Sequence, residues 1–427
     1  MGALNYLYYP VLGRMLRPTA FGETQALVSL FLQISIFLTV LGMLTINIVA
    51  NHGETKQRDR IILELEKFAL LISLLLLGLT TIFSHALQQF FHFEDYLPFI
   101  VLGVAVTVTV PFTFRSAYLR GNKFFGLTSL AGIIGAAAKL VFSVVLVKLG
   151  MGTTGAILGI VLAQFLAFAY AALYARRHGF KESLLKQLTR LPDMRLVFPE
   201  LRYALLVLAC SLTITGLYSI DIIVVKHYFD AHTAGLYAGI ASVARIIFFL
   251  TASITQVLMP TVRLQNSARH NTAILFKSFL LLCGIGGGAV VVFCVLPRFV
   301  ISHLMGVTYL PYAAILPRLS LVVFLISVLN LFITYHMALR RYMIALIAII
   351  GALASVMFLA VSHGSLISVV NGLLYGSVVT FALLGMWVGA VALRQKRRYA
   401  YGTAASVDYR ADVQRSTESE TAVQRNR

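Results

Sequence analysis

Charged residues are scarce in this chain of 427 residues, and acidic residues are scarcer still. Asp, Glu, Lys and Arg make up 12% of the chain and hydrophobic residues 59%, and only 16 residues are acidic. A soluble globular domain carries about twice this share of charge, so that class is excluded. No Walker A motif is present, so we do not expect ATP to be the direct energy source. A disulfide framework is also excluded, because all three cysteines lie in apolar stretches: Cys210, Cys283 and Cys294.

Long apolar runs fill most of the chain instead. A helix needs roughly 20 apolar residues to cross a bilayer, and continuous runs exclude the alternating pattern of a membrane barrel. We therefore predict an all-α polytopic membrane protein with about twelve transmembrane helices. The first run begins almost at Met1 and is short, which predicts an incomplete helix 1 or a start codon further upstream. The predicted spans are 1–13, 24–50, 68–85, 97–114, 126–147, 154–175, 203–226, 236–262, 275–297, 309–334, 342–362 and 365–393.

Basic residues fall into alternate gaps between these runs. The gaps after the even-numbered runs hold 27 of the 35 Lys and Arg residues, and the other gaps hold only five. Basic residues near the ends of spans stay on the cytoplasmic side, so both termini are predicted to be cytoplasmic in a cell membrane. The formal net charge of +19 is then explained by orientation and by contact with anionic lipid, and no nucleic-acid partner is expected.

The spacing of the gaps divides the chain into four parts. Residues 1–175 form a predicted N-terminal six-helix lobe and residues 203–393 a C-terminal six-helix lobe. Residues 176–202 carry apolar positions at near-helical spacing among basic ones, which predicts an amphipathic cytoplasmic linker. Residues 394–427 have almost no apolar run and are predicted to be a disordered basic tail.

The two lobes share short sequence words at a nearly constant offset. Gly22 precedes span 2 and Gly235 precedes span 8, 213 residues apart, and Tyr96 and Tyr309 in two Tyr-Leu-Pro words are also 213 residues apart. Because each half has an even number of spans, both halves have the same orientation. This predicts a parallel repeat about an axis along the membrane normal, with a central cavity between two six-helix bundles.

Several motifs resemble those of one transporter family. The segments are Gly13–Gly22 (GRMLRPTAFG), Ala117–Phe124 (AYLRGNKF), Asp221–Val225 (DIIVV), Ala234–Tyr237 (AGLY) and Gly306–Tyr309 (GVTY). Together they resemble Wzx-type polysaccharide flippases. The resemblance covers about residues 1–393 and implies the MATE-like fold of multidrug, oligosaccharidyl-lipid and polysaccharide exporters. It also implies that a polyprenyl-diphosphate-linked oligosaccharide is moved from the inner to the outer leaflet.

Three basic residues lie inside spans, where orientation does not explain them. Lys139, Arg245 and Arg318 are each about nine residues from the outer end of a span, or roughly 14 Å deep. Because a buried charge is costly, we expect them to line a cationic lumen that binds substrate phosphate. The alternative is an Arg that pairs with backbone carbonyls or bridges helices inside one lobe. Asp221 is a candidate for ion coupling, and its alternative roles are pairing with Lys226 or capping the next corner.

The interpretation that these observations favour is a flippase that works by alternating access. Its expected partners are the lipid-linked oligosaccharide, membrane lipids, and the polymerase and glycosyltransferases of the same pathway. No cofactor or metal is expected, and the chain is not expected to be an enzyme. A cation-coupled multidrug exporter of the same fold is the nearest alternative, although it should carry acids in its lumen. A polysaccharide polymerase or ligase would need longer external loops, and a lipid II flippase usually has fourteen spans.

Overall fold

The fold is a bundle of helices. A computed structural model describes residues 2–51, 56–180, 194–262, 267–339, 341 and 343–390, and every regular element within them is helical. The α-helices are α1 (Gly2–Met15), α2 (Pro18–Asn51), α3 (Lys56–Ile82), α4 (Ser84–Phe90), α5 (Leu97–Gly121), α6 (Phe125–Leu146), α7 (Gly152–Arg177), α8 (Met194–Tyr228), α9 (Ala231–Ala244), α10 (Ile246–Thr261), α11 (Ala268–Val295), α12 (Pro297–Leu304), α13 (Leu316–Ala338), α14 (Met343–Val361) and α15 (Leu366–Ala390). A π-helical turn spans Val147–Met151, and a 3-10 helix spans Val307–Ile315.

The described helices are those of a multi-span membrane protein. Nine of them are long and apolar enough to cross a membrane, or ten if α3 and α4 form one bent span. One of the nine, Phe125–Arg177, comprises α6 and α7 together, and its 53 residues would extend about 80 Å if straight. It bends at Gly150, where φ is 88°. The count reaches twelve if α3 and α4 form one bent span, Phe125–Arg177 crosses twice, and α1 is a short crossing. This count stays a prediction.

Small residues allow α6 and α7 to pack closely. The Ser143 hydroxyl donates to the Ala156 carbonyl at 2.9 Å. A side-chain carbon on Gly159 would lie 2.5 Å from the Ser143 backbone nitrogen, so only glycine fits there. Close approach through small residues is a common way for membrane helices to pack, because lipid supplies no hydrophobic drive between them.

The corners that the charge pattern predicts to be external meet at one end of the bundle. The Tyr309 hydroxyl donates to the Gly13 carbonyl at 3.2 Å, and Gly22 and Gly235 meet so closely that a Cβ on Gly22 would lie 2.7 Å from the Gly235 Cα. We call this end, defined by Gly13, Gly22, Gly235 and Tyr309, the sealed end. Gly22 and Gly235 are equivalent positions of the repeat, as expected for residues beside its axis.

Two helices begin well before the spans predicted for them. α3 begins at Lys56 rather than at residue 68, and α8 begins at Met194 rather than at residue 203. The early start of α3 buries Glu66 against Arg115, whose Nη1 lies 2.8 Å from the carboxylate. A span predicted from hydropathy ends where charged residues begin. A carboxylate and a guanidinium that form an ion pair can nevertheless be buried together.

The middle of the predicted linker and the whole predicted tail lie outside the described residues. Residues 181–193 and 391–427 are not described, and they include the middle of the predicted amphipathic segment and all of the predicted tail. Phe180, just before the first of these segments, is buried, and its ring lies 4.3 Å from the Arg115 guanidinium carbon. The start of the linker therefore packs against the first lobe beside the Glu66–Arg115 pair.

Candidate functional site

A cavity of about 400 Å³ lies between the two lobes. Its walls come from α1, α2, α5, α6 and α7 of the first lobe and from α8 and α10 of the second. Cavities of this size and composition are typical of small-molecule sites. Aromatic rings form much of the surface on both sides, including Tyr8, Tyr9, Phe31, Tyr218, Phe248 and Phe249.

Lys139 supplies the positive charge of this cavity. Its Nζ donates to the Asn5 side-chain oxygen at 2.9 Å and lies 4.6 Å from the centre of the Tyr8 ring. Gln164 and Thr215 add neutral polar groups to the lining. Among the described residues that line the cavity, Lys139 is the basic one and none is acidic. The site can therefore hold a ligand that carries an anionic group next to a sugar or an apolar group.

Arg245 lies behind the cavity wall, in a buried ion pair. Its Nη2 is 2.6 Å from Asp221 Oδ1, and the Tyr237 hydroxyl donates to Asp221 Oδ2 at 2.9 Å. Both partners are almost fully buried, Arg245 being 6% exposed and Asp221 3%. The Arg245 guanidinium carbon lies 4.9 Å from the centre of the Tyr218 ring, which itself lines the cavity. Tyr218 thus separates a neutral ion pair from the cavity.

The two alternative roles considered for Asp221 are wrong. Lys226 lies beside Glu23, with its Nζ 3.9 Å from Glu23 Oε1, so it is not the partner of Asp221. The corner after α8 is capped by Asp230, whose carboxylate accepts from the Thr233 backbone N–H at 2.8 Å. That hydrogen bond holds the pKa of Asp230 below its usual value.

The structure does not bring the three predicted cations together. Lys139 lines the cavity, Arg245 pairs with Asp221 inside the second lobe, and Arg318 is exposed near the start of α13 and lies outside the cavity lining. Arg245 takes the alternative position of an Arg that bridges helices inside one lobe, and its partner there is Asp221. The role of these three residues in substrate binding stays a prediction. Of the three, Lys139 is the one that lines the cavity.

A buried polar cluster beside the sealed end was not predicted from the sequence. Glu23 accepts from the Glu94 backbone N–H and from the Thr153 hydroxyl, each at 2.8 Å. Lys226 of the second lobe donates to the His92 carbonyl at 3.2 Å and is 1% exposed. The sequence did hold one indication of this cluster, because Glu23 directly follows Gly22, a position of the internal repeat.

Replacing Arg245 by methionine is expected to destabilise the protein by about 3 kcal/mol, because Asp221 would keep a buried and uncompensated charge. Thermal unfolding in detergent measures this loss. The double variant R245M/D221N should recover much of it, since the amide that replaces the carboxylate is neutral and its oxygen still accepts from Tyr237. Equal stabilities of wild type and R245M would show that the pair does not hold α8 to the α9–α10 junction.

Comparison with known families identifies the chain. A sequence profile of the family described as Polysaccharide biosynthesis protein matches residues 2–263, which is more than half of the chain. The chain belongs to this family. None of the curated proteins compared with it matches.

Solved structures confirm the fold. An inward-facing multidrug resistance MATE family transporter of the MOP superfamily is 15% identical, with a TM-score of 0.69 over 92% of this chain and 96% of the other. The lipid II flippase MurJ in an inward closed conformation is 13% identical, with a TM-score of 0.72 over 91% and 85%. A MOP superfamily transporter from Pyrococcus furiosus is 13% identical, with a TM-score of 0.57 over 91% and 92%.

The family match confirms the predicted relationship to Wzx-like polysaccharide proteins, and structural neighbours of the chain include MOP superfamily transporters. The chain is therefore a multi-span membrane protein of a polysaccharide biosynthesis family, with the fold of the MATE and MurJ structures. The family match does not reach Arg318, whereas Lys139, Asp221 and Arg245 all lie inside it.

Proposed function

We propose that this transporter flips a polyprenyl-diphosphate-linked oligosaccharide from the inner to the outer leaflet of the cell membrane by alternating access. The observation that carries the proposal is the inter-lobe cavity, whose lining combines Lys139 with aromatic rings from both lobes. A lysine ammonium binds phosphate as a point charge, and aromatic faces pack against the apolar faces of sugar rings. The diphosphate and the first sugar occupy the cavity while the polyprenyl tail stays in lipid.

The sealed end supports one closed state of the alternating cycle. Gly22 and Gly235 are in van der Waals contact, and Lys226 lies 3.9 Å from Glu23 across the two lobes. If this end is external, as the charge pattern predicts, the cavity loads from the cytoplasmic side. Outward release then requires the Gly22–Gly235 contact and the Lys226–Glu23 pair to separate.

In this proposal the predicted site residues have different roles. Lys139 binds the diphosphate, whereas Arg245 and Asp221 hold Tyr218 in the opposite wall. Asp221 receives no coupling role, because its carboxylate is already occupied by the guanidinium at 2.6 Å and is costly to separate from it. Arg318, exposed on α13, is not assigned to the headgroup site. Glycosyltransferases would supply the substrate and a polymerase would consume the flipped product.

Complementation tests this function in cells that lack their own flippase. We expect the chain to restore surface polysaccharide and to leave resistance to organic cations unchanged, because no described residue lining the cavity is acidic. Surface glycan is measured by labelling intact cells, with membrane expression checked by immunoblot. A well-expressed protein that raised drug resistance and restored no glycan, for any lipid-linked glycan offered, would overturn the proposal in favour of a multidrug exporter.

A further inference from the structure

We infer that a divalent transition-metal ion binds between His92 and His227, beside the sealed end, and holds the two lobes together there. His92 lies in the loop before α5 of the first lobe, and His227 lies in the last turn of α8 of the second. The inference goes beyond the proposed function, because it assigns a second site with a different kind of ligand. Since the two histidines are distant in sequence and belong to different lobes, no spacing motif marks them.

Hydrogen bonds across the lobes hold both histidines in place. Lys226 Nζ donates to the His92 carbonyl at 3.2 Å, and His227 Nδ1 lies 2.8 Å from the Phe90 carbonyl oxygen. The backbone of His92 has a φ of 53°, a left-handed conformation that is uncommon outside glycine but enriched for histidine. Each histidine is therefore positioned by a contact with the opposite lobe.

The distance between the two imidazoles suits a shared metal ion. Their ring centroids are 6.4 Å apart, and their planes are inclined by 34°. Zinc–nitrogen bonds of about 2.1 Å place the centroids of two imidazoles on one ion roughly 5 to 6.5 Å apart. His92 is exposed, so its side chain can rotate to improve the angle of its bond to the metal. A bridging ion therefore fits without separating the lobes.

The nitrogen of His227 that would bind the metal is Nε2. A carbonyl oxygen only accepts hydrogen bonds, so Nδ1 carries the proton towards Phe90, and the neutral imidazole keeps its lone pair on Nε2. The Phe90 ring stacks on His227, with centroids 4.0 Å apart, and restrains the plane of the imidazole. Histidines that bind metal usually donate their other ring nitrogen to a carbonyl or carboxylate in this way.

The surroundings of the two histidines allow a bound cation. The Lys226 ammonium is near His92, but Glu23 Oε1 lies 3.9 Å from its Nζ and compensates its charge. Within the described part of the chain, no group of three or more His, Cys, Asp and Glu side chains could hold a metal. Water would therefore fill the remaining positions, as in metal sites that stay open. Imidazole ligands suit zinc, copper and nickel, whereas magnesium and calcium prefer oxygen.

An ion bound to both histidines stabilises the closed form of the sealed end. Its two protein ligands come from different lobes, so it binds both only while the lobes are together. A ligand present at about 100 times its dissociation constant shifts such an equilibrium by roughly 100-fold. Because outward release requires the sealed end to separate, we expect the metal to inhibit transport.

Calorimetric titration of the purified full-length protein with zinc chloride tests the site. The protein carries no polyhistidine tag, and cooperative thermal unfolding in detergent shows that each variant is folded. We expect His92→Asn and His227→Gln to bind zinc at least about tenfold more weakly than wild type. Asparagine tolerates the left-handed backbone at position 92, and glutamine at position 227 can still donate to Phe90. Equal zinc affinities of wild type and both folded variants would overturn the inference.

His303→Gln is the matched control. His303 Nδ1 also lies 2.9 Å from a backbone carbonyl, that of Phe299, and its ring contacts the Phe299 ring rather than a second imidazole. This variant should bind zinc as tightly as wild type. A difference as large as that of the other two variants would overturn the assignment to His92 and His227.

Flipping in vesicles tests the effect of the metal on the sealed end. Zinc on both sides should lower the rates of wild type and H303Q by at least about tenfold, and a chelator should restore them. The rates of H92N and H227Q should not change with zinc. Equal inhibition of all four proteins would overturn the predicted effect on the sealed end. If no protein flipped substrate even without zinc, the proposed function would fail, and the calorimetry would still decide whether the metal site exists.

Discussion

Alanine at Gly235 is expected to lower the initial rate of flipping by at least about tenfold. A Cβ at this position would lie 1.8 Å from the Pro18 carbonyl oxygen, a distance that no packing adjustment of side chains relieves because the clash is with backbone. The lobes would have to move apart, and the sealed end could not close. The initial rate of flipping in vesicles measures the effect.

The matched control for this variant is Gly284→Ala on α11. A Cβ there meets nothing within 4 Å, so the same chemical change carries no steric cost. The control should flip substrate at the wild-type rate, and both variants should unfold cooperatively on heating in detergent. If folded G235A flipped substrate as fast as G284A, closure of the sealed end would not be required for transport.

Methionine at Lys139 is expected to lower flipping by roughly 30-fold, the equivalent of about 2 kcal/mol for losing one partner of a buried charge contact. Methionine fills similar volume but leaves the diphosphate without its cation. Lys139→Arg should retain more activity than methionine, because it preserves the charge, although its planar group changes the geometry. Flipping rates at several substrate concentrations measure the loss.

An exposed lysine close by provides the control for charge alone. Lys148 lies in the turn between α6 and α7, and it is not part of the cavity lining. Lys148→Met removes the same charge from the protein and should leave flipping unchanged. Equal activity of well-folded K139M and K139R would contradict the assignment of Lys139 to the diphosphate.

The sequence was most informative about features that recur along the chain. The alternation of basic residues correctly grouped the corners, since Gly13 and Tyr309, from corners predicted to lie on the same side, are hydrogen-bonded. The repeat offset paired Gly22 with Gly235, and the structure places these two residues in contact. Both signals depend on order and spacing, which a linear sequence records directly.

The direction of a side chain around its helix could not be predicted in the same way. Counting residues gave Lys139, Arg245 and Arg318 the same depth, but packing turns only Lys139 towards the described cavity. Arg245 instead faces Asp221, which is 24 positions earlier and on another helix. Depth follows from the rise per residue, whereas the direction depends on which neighbours each helix contacts.

Buried acids were the other feature that hydropathy could not locate. Glu23 and Glu66 lie near charged residues, so a hydropathy pattern assigns them to loops, yet both are at most 3% exposed. Each is compensated by a residue distant in sequence, Lys226 for Glu23 and Arg115 for Glu66. An ion pair of this kind can be recognised only in the folded structure, where its two residues lie side by side.

The most direct test of the central claim is the transfer of a lipid-linked glycan across a bilayer that contains only this protein. Vesicles carry a polyprenyl diphosphate with one N-acetylhexosamine in the inner leaflet, and the sugar that reaches the outer leaflet is captured by a lectin outside. We expect the sugar to appear faster than in protein-free vesicles, and the increase to be lost with K139M. A rate equal to that of protein-free vesicles, with folded wild-type protein present in either orientation, would contradict the account.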